Sequence, residues 1–169
     1  MGPGHLAIGL AAKSAAPRVP LWVLLLATEA LDLLGFAFRA LGIETFGITH
    51  TTLTQGVYEI VPGLDPWSHG LFMSVVWSAL AAAIAFLIYR ERRTAGIIGL
   101  VVFSHWVLDF IVHPPDLLLF FNGSPSVGLG MWTSGPGFII SIILEVGLLA
   151  GGTAIYLAAR KREDVPEHK

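Results

Sequence analysis

Three stretches of the chain are apolar over about 20 residues each, the length that an α-helix needs to cross the hydrocarbon core of a bilayer. These stretches are residues 67–89, 95–113 and 137–159. A fourth stretch, 20–41, is equally long but contains Glu29, Asp32 and Arg39. A shorter apolar piece, 3–12, cannot span and is expected to form a half-helix. The pattern predicts an all-α fold: a polytopic membrane four-helix bundle with a short N-terminal half-helix.

Charge is scarce in this chain. Hydrophobic residues make up 54% of its 169 residues and charged residues only 13%, whereas a soluble domain carries about a quarter charged residues. The length fits one transmembrane domain over 1–162, followed by a disordered tail over 163–169. A net charge of −2 gives no reason to expect a nucleic-acid partner. Because the chain has no cysteine, disulfides and thiolate zinc sites are excluded.

Basic residues predict the orientation, because cytoplasmic loops collect Lys and Arg. They cluster before the first span, between the second and third spans, and after the fourth. The clusters are Lys13 and Arg18, then Arg90, Arg92 and Arg93, then Arg160, Lys161 and Arg162. We therefore expect a multi-pass protein of the cell (inner) membrane with a cytoplasmic C-terminus and external loops at 43–66 and 114–136. The opening GHLAIGLAAK has no basic region before it, so we expect no cleavable signal peptide.

Small residues mark two of the predicted helices. Ser74 and Ser78 give the second span a small, partly polar face. Gly147 and Gly151 form a G-x-x-x-G pattern in the last span, which favours close approach of another helix.

Ionisable residues inside the predicted spans fall at one depth. At about 1.5 Å per helical residue, five of them lie between about 17 and 23 Å from the cytoplasmic side. They are His5, Asp32, His105, Asp109 and Glu145. His69 and His113 lie further out, near the external interface. A charged side chain in the bilayer costs several kcal/mol unless it pairs, binds an ion or meets water. We therefore expect these groups to point into the bundle.

Histidine and carboxylate without cysteine form a ligand set for zinc, manganese or iron. His105, Asp109 and His113 follow i, i+4, i+8 spacing and share one helix face. His105 and Asp109 can therefore reach one divalent ion, with zinc favoured. Asp32, His5 and His69 would complete the coordination from other segments.

Each of these residues also has a purely structural interpretation. His105 and Asp109 would form a hydrogen-bonded pair, and Asp32 would form a salt bridge with Arg39 or a histidine. His5 would belong to a loosely ordered terminus. His69 would be an interfacial residue beside a helix cap, and Glu145 would hydrogen-bond a neighbouring helix.

Four short motifs resemble those of a family of small inner-membrane proteins described as metal-dependent hydrolases. The motifs are GHLAIG, EALDLL, DPWSHGLF and FSHWVLDF, in the part of the chain up to Phe120. The family pattern has a Gly-His or His-His opening, a Pro-Asp-x-Asp-His stretch, a Thr-His-Ser and a Ser-His-x-x-x-Asp. The resemblance implies His5, Asp32, His69, His105 and Asp109 as metal ligands. In this chain the second motif keeps one acid, Asp32, without the second Asp or the His, and Ser68-His69-Gly70 replaces Thr-His-Ser, which favours a single ion or a degenerate site over a two-metal site.

These patterns leave three functions open. The first is hydrolysis of a lipid or lipid-linked phosphoester or ester, with Glu145 or Glu29 as general base. The second is ion or proton transport, which four spans would support best as a homodimer. The third is a structural or regulatory role in which the polar groups only fix helix register.

Overall fold

The computed structural model describes residues 2–45 and 65–163. Most of the first predicted external loop and nearly all of the predicted tail, 46–64 and 164–169, lie outside the described residues. The described part is mostly helical, as predicted. Its elements are α1 (Gly4–Ala12), α2 (Leu21–Thr28), α3 (Ala30–Ala40), α4 (Leu71–Tyr89), α5 (Arg92–Val112), β1 (Leu117–Leu118), β2 (Ser126–Val127), a 3-10 turn (Met131–Thr133) and α6 (Gly135–Glu163).

Three helices, α4, α5 and α6, are long and apolar enough to cross a membrane. The predicted fourth span, 20–41, is not one straight helix. It consists of α2 and α3, which reach the same length and hydropathy only together and are bent by 58° relative to each other. The break falls at Glu29, whose φ of −97° and ψ of 7° are not helical. The pair therefore forms a broken span or a re-entrant loop.

Helix α5 lies at the centre of the protein. Half of its apolar window is buried, compared with 17% for α4 and 11% for α6. It contacts α1, α2, α3 and α4. Gly99 allows close packing on α4, because a Cβ there would lie 3.0 Å from both the Ser78 carbonyl oxygen and the Ala82 Cβ. The small face predicted for α4 thus packs against α5.

The short helix α1 packs along α6 at Gly152. A Cβ on Gly152 would overlap the backbone of Ala7. The prediction that Gly147 and Gly151 make the close approach is wrong within the described residues, since a Cβ on either would have no atom within 4 Å. The physical reason is that α1 crosses α6 one residue beyond Gly151. The two predicted glycines instead line an apolar groove between the helices.

The loop after α5 folds back over the C-terminal end of that helix. It contains the antiparallel pair β1–β2, in which Leu117 pairs with Val127. Gly128 has a φ of 157° and comes so close to the Pro114 carbonyl that a Cβ there would overlap it. The Leu129 amide donates to the Phe110 carbonyl oxygen at 2.8 Å. This loop therefore covers the outer end of α5, where the polar residues lie.

Candidate metal centre

Helix α5 carries a ladder of polar side chains on one face. His105 is 1% exposed and Asp109 3% exposed, whereas the His113 side chain is 29% exposed. Their spacing brings His105 Nε2 to 3.2 Å from Asp109 Oδ2 and His113 Nε2 to 3.8 Å from Asp109 Oδ1. The ladder thus runs from the buried interior toward the loop that follows α5.

Asp32 and His69 approach this ladder from other segments. Asp32 lies on α3, just after the break, and His69 lies in the turn before α4. His69 Nε2 is 3.2 Å from Asp32 Oδ1 and 3.9 Å from Asp109 Oδ2. His105 Nε2 is 3.7 Å from Asp32 Oδ1. Two imidazoles and two carboxylates therefore meet at one point.

His5 reaches the same point from α1. Its ring stacks on the His105 ring, with centroids 3.8 Å apart and planes 6° from parallel. Its Nε2 lies 3.4 Å from Asp109 Oδ1, and the residue is 2% exposed. Asp109 thus has four histidines within 3.9 Å of its carboxylate. The five residues predicted as ligands are brought together by four separate segments.

Two sets of donor atoms in this cluster converge closely enough to hold a metal ion. Asp32, His69 and His105 offer atoms within 4.8 Å of one another, and so do His5, Glu29 and His105. For zinc bound at about 2.0–2.1 Å, the edge of a tetrahedron of donors is about 3.3–3.4 Å. Asp109 belongs to neither set; within the first set, the Nε2 atoms of His69 and His105 lie 3.2 and 3.7 Å from Asp32 Oδ1. The spacing therefore fits such an ion.

The hydrogen bond of His105 fixes which ring nitrogen can bind an ion. His105 Nδ1 lies 2.6 Å from the Thr28 carbonyl oxygen. A carbonyl can only accept, so Nδ1 carries the proton and, in the neutral ring, Nε2 carries the lone pair. Nε2 is buried and has no hydrogen-bond partner of suitable geometry among the described residues. A lone pair that faces carboxylate oxygens needs a cation, a proton or a bridging water between them.

The Nδ1 atom of His69 is also engaged by a hydrogen bond, in this case with Ser68, which in turn contacts Glu44. His69 Nδ1 lies 2.8 Å from Ser68 Oγ, and Ser68 Oγ lies 2.7 Å from Glu44 Oε2. Sequence reasoning treated Ser68 only as a helix cap and did not consider Glu44. No local signal identifies Glu44, because it precedes Ser68 by 24 residues.

The centre lines a cavity of about 400 Å³. The Asp32 side chain, 44% exposed, provides the most open edge of the centre. The cavity walls carry an excess of acidic over basic side chains. The ionisable residues of the lining are Asp32, Arg39, Asp65, His69, Asp109, His113 and Asp116. This excess of carboxylates favours a bound cation.

The structural interpretation gave Asp32 either Arg39 or a histidine as its partner, and among the described residues the partners are the histidines His69 and His105, not Arg39. Arg39 forms an ion pair with Asp65 at the start of the turn before α4. Burial raises the pKa of Asp65 above its ordinary value, and the neighbouring Arg39 only partly offsets this effect. The Arg39–Asp65 pair thus leaves Asp32 directed toward the two histidines.

The two predicted general bases occupy different positions. Glu29 sits at the α2–α3 break, accepts a hydrogen bond from Thr28 Oγ1 at 3.3 Å, and belongs to the second donor set. Glu145 lies on α6, where its Oε2 would be 3.6 Å from a Cβ on Gly2. Among the described residues, neither donor set includes Glu145.

Comparison of the chain with protein families, curated proteins and solved structures finds no match. The resemblance to membrane metal-dependent hydrolases therefore stays a prediction that depends on the motif residues alone.

Proposed function

We propose that this chain is a multi-pass protein of the cell (inner) membrane that binds one divalent metal ion, zinc by preference over manganese or iron, and hydrolyses a lipid or lipid-linked phosphoester or ester. The observation that carries the proposal is the convergence of His69 Nε2 and His105 Nε2 on Asp32 Oδ1, at 3.2 and 3.7 Å. Both rings use Nδ1 for other hydrogen bonds. Both therefore offer Nε2 to the same point, as metal-binding histidines do.

The membrane arrangement that fits best has four spans, with α2 and α3 together forming a broken one. Basic residues lie between α4 and α5 and at the end of α6, so both places would be cytoplasmic. Asp109 and His113 would then lie toward the outer face. The cavity would open toward the external loop, whose Trp132 packs on the His113 ring.

A metal-dependent hydrolase needs room for water and substrate beside its ion. A bound divalent ion would lower the pKa of a water molecule and polarise a phosphoryl or carbonyl oxygen. Asp32, at the exposed edge, would orient that water. Glu29 would accept its proton as general base, since it lies closer to the histidines than Glu145 does. The depth of the centre in the outer leaflet points to a substrate whose scissile bond lies near the lipid headgroups.

The proposal is tested by incubating purified protein with a panel of phospholipids and lipid-linked phosphates, with and without a chelator. We expect hydrolysis that the chelator abolishes and zinc restores. His105→Ala and Asp109→Ala should lose both metal and activity. Full metal content in both variants would overturn the proposed site, and a wild-type protein that binds metal but cleaves nothing in the panel would overturn the hydrolase assignment.

A structural role is the second candidate, and one observation favours it. If the imidazoles are protonated, each can pair with Asp32 or Asp109 at the distances observed, and the cluster then ties four segments together without an ion. That candidate predicts no bound metal and only lowered stability in the His105→Ala variant.

Transport is less well supported. On the cytoplasmic side of His105, the buried residues of α5 as far as Ala95 are apolar: Ala95, Ile98, Gly99, Val101 and Val102. A proton or ion leaving the centre would meet no fully buried polar side chain from this part of α5. A second copy of the chain would have to supply the path. Ion flux in liposomes would distinguish transport from hydrolysis.

A further inference from the structure

Glu44 is a buried carboxylate beyond the end of α3, outside the set of residues that surround the proposed ion. It is 3% exposed. Its Oε1 accepts hydrogen bonds from the Trp67 and Ser68 backbone amides at 2.9 and 2.8 Å. Its Oε2 lies 2.7 Å from Ser68 Oγ. Every one of these contacts is to the turn that carries His69.

The direction of each hydrogen bond from Glu44 through Ser68 to His69 follows from which of these groups can donate. A carboxylate only accepts, so the Ser68 hydroxyl donates its one proton to Glu44 Oε2. Ser68 Oγ then has only lone pairs left for His69 Nδ1, 2.8 Å away. His69 Nδ1 must therefore carry a proton and donate it to Ser68 Oγ. In the neutral ring, the lone pair is left on Nε2; because the Asp32 carboxylate, 3.2 Å away, only accepts, this contact needs a cation between the two atoms or a second proton on the ring.

We propose that Glu44, acting through Ser68, is the positioning residue that sets the tautomer of His69 and so makes Nε2 the metal-binding atom. The tautomer itself does not depend on the proposed function. Its consequence for metal affinity does rest on that function. His105 needs no such residue, because the Thr28 carbonyl oxygen fixes its tautomer directly.

A substitution of Glu44 by glutamine would reverse the chain of hydrogen bonds without changing its shape. The two backbone amides hold the oxygen of the new amide group at the position of Oε1, so the NH₂ group must face Ser68 Oγ. The Ser68 hydroxyl, which now accepts from that NH₂ group, is free to donate to His69 Nδ1. The proton of the imidazole would then move to Nε2, and that nitrogen could no longer bind an ion.

The test uses ¹⁵N NMR of the histidine rings in chelator-treated full-length protein in detergent, well above the ordinary imidazole pKa of about 6.5. The His69→Gln variant identifies the His69 signals. In the wild type we expect a protonated Nδ1, and in the Glu44→Gln variant an unprotonated Nδ1 with the proton on Nε2. Zinc affinity should fall about 10- to 100-fold in Glu44→Gln, as it does when an outer hydrogen-bond partner of a ligand is lost.

Glu91→Gln is the matched control. Glu91 accepts a hydrogen bond from Thr94 Oγ1 at 2.8 Å at the other end of α5, so this change should alter neither the His69 signals nor the zinc affinity. Ser68→Ala, which removes the link without reversing it, should give a mixture of tautomers.

Three outcomes decide the inference. A wild-type His69 without a proton on Nδ1 overturns it even if every variant fails to fold. An unchanged His69 tautomer in folded Glu44→Gln also overturns it. A reversal of the tautomer in a protein that binds no zinc supports the inference and contradicts the proposed function, so the two failures are distinguishable.

Discussion

His105 on α5 donates a hydrogen bond from Nδ1 to the Thr28 carbonyl oxygen, 2.6 Å away, at the point where α2 ends. The last carbonyl groups of a helix have no partner within the helix. The break after Thr28 therefore supplies an acceptor for the most buried histidine, and His105 in turn satisfies the end of α2. This contact connects the bent pair α2–α3 to the central helix.

Replacement of His105 by alanine should lower stability as well as metal binding. The change leaves the buried Thr28 carbonyl oxygen unpaired, which costs about 1–3 kcal/mol, and removes the ring stacked on His5. We expect a clear fall in Tm in metal-free protein, followed by circular dichroism in detergent. His113→Ala, at the more exposed end of the ladder, is the control and should change Tm much less. Equal Tm values for both variants would contradict this role of His105.

The position of α1 should depend on Gly152 and not on Gly151. A Cβ on Gly152 would overlap the backbone of Ala7, whereas one on Gly151 would meet open space. Gly152→Ala should destabilise the protein by about 1–3 kcal/mol and weaken zinc binding, because α1 carries His5. Gly151→Ala should leave stability unchanged or raise it by up to about 1 kcal/mol. Thermal unfolding of the two variants side by side checks this, and a tolerated alanine at 152 would refute it.

The sequence predicted which residues form the centre better than it predicted the contacts that hold them in place. The five ligands could be named because charge inside an apolar span is rare and depth can be counted along a helix. The break at Glu29 could not be predicted, since 20–41 contains no glycine or proline near that position. The contact between Thr28 and His105 joins residues 77 positions apart. Glu44 was missed for the same reason, because its partners Trp67 and Ser68 lie 23 and 24 residues further along the chain.

The two candidate bases should differ in their effect on turnover. Glu29 shares a donor set with His5 and His105, whereas Glu145 lies near Gly2 on α6. We expect Glu29→Gln to lower kcat about 10²- to 10⁴-fold, the usual contribution of a general base, and Glu145→Gln to have little effect. Initial rates on the lipid substrate identified by the panel provide the measurement. The opposite ranking would assign the base to Glu145.

Asp109 should be the most sensitive position for metal binding. Its carboxylate lies within 3.9 Å of four histidines, so Asp109→Asn removes the negative charge that these four side chains share. We expect zinc affinity to fall by more than about 100-fold, beyond the loss expected for an outer partner such as Glu44. Calorimetric titration with zinc measures it. The same titration of Asp116→Asn, which retains Asp109, should show a much smaller loss.

The central claim is that imidazoles and carboxylates from separate segments share one divalent ion. Zinc titration of chelator-treated wild-type protein, with elemental analysis of the protein as purified, tests it most directly. We predict saturable binding at close to one ion per chain, and a divalent metal retained through purification. A wild-type protein that is purified without metal and takes up no zinc, manganese or iron would contradict the claim and leave the cluster a structural one.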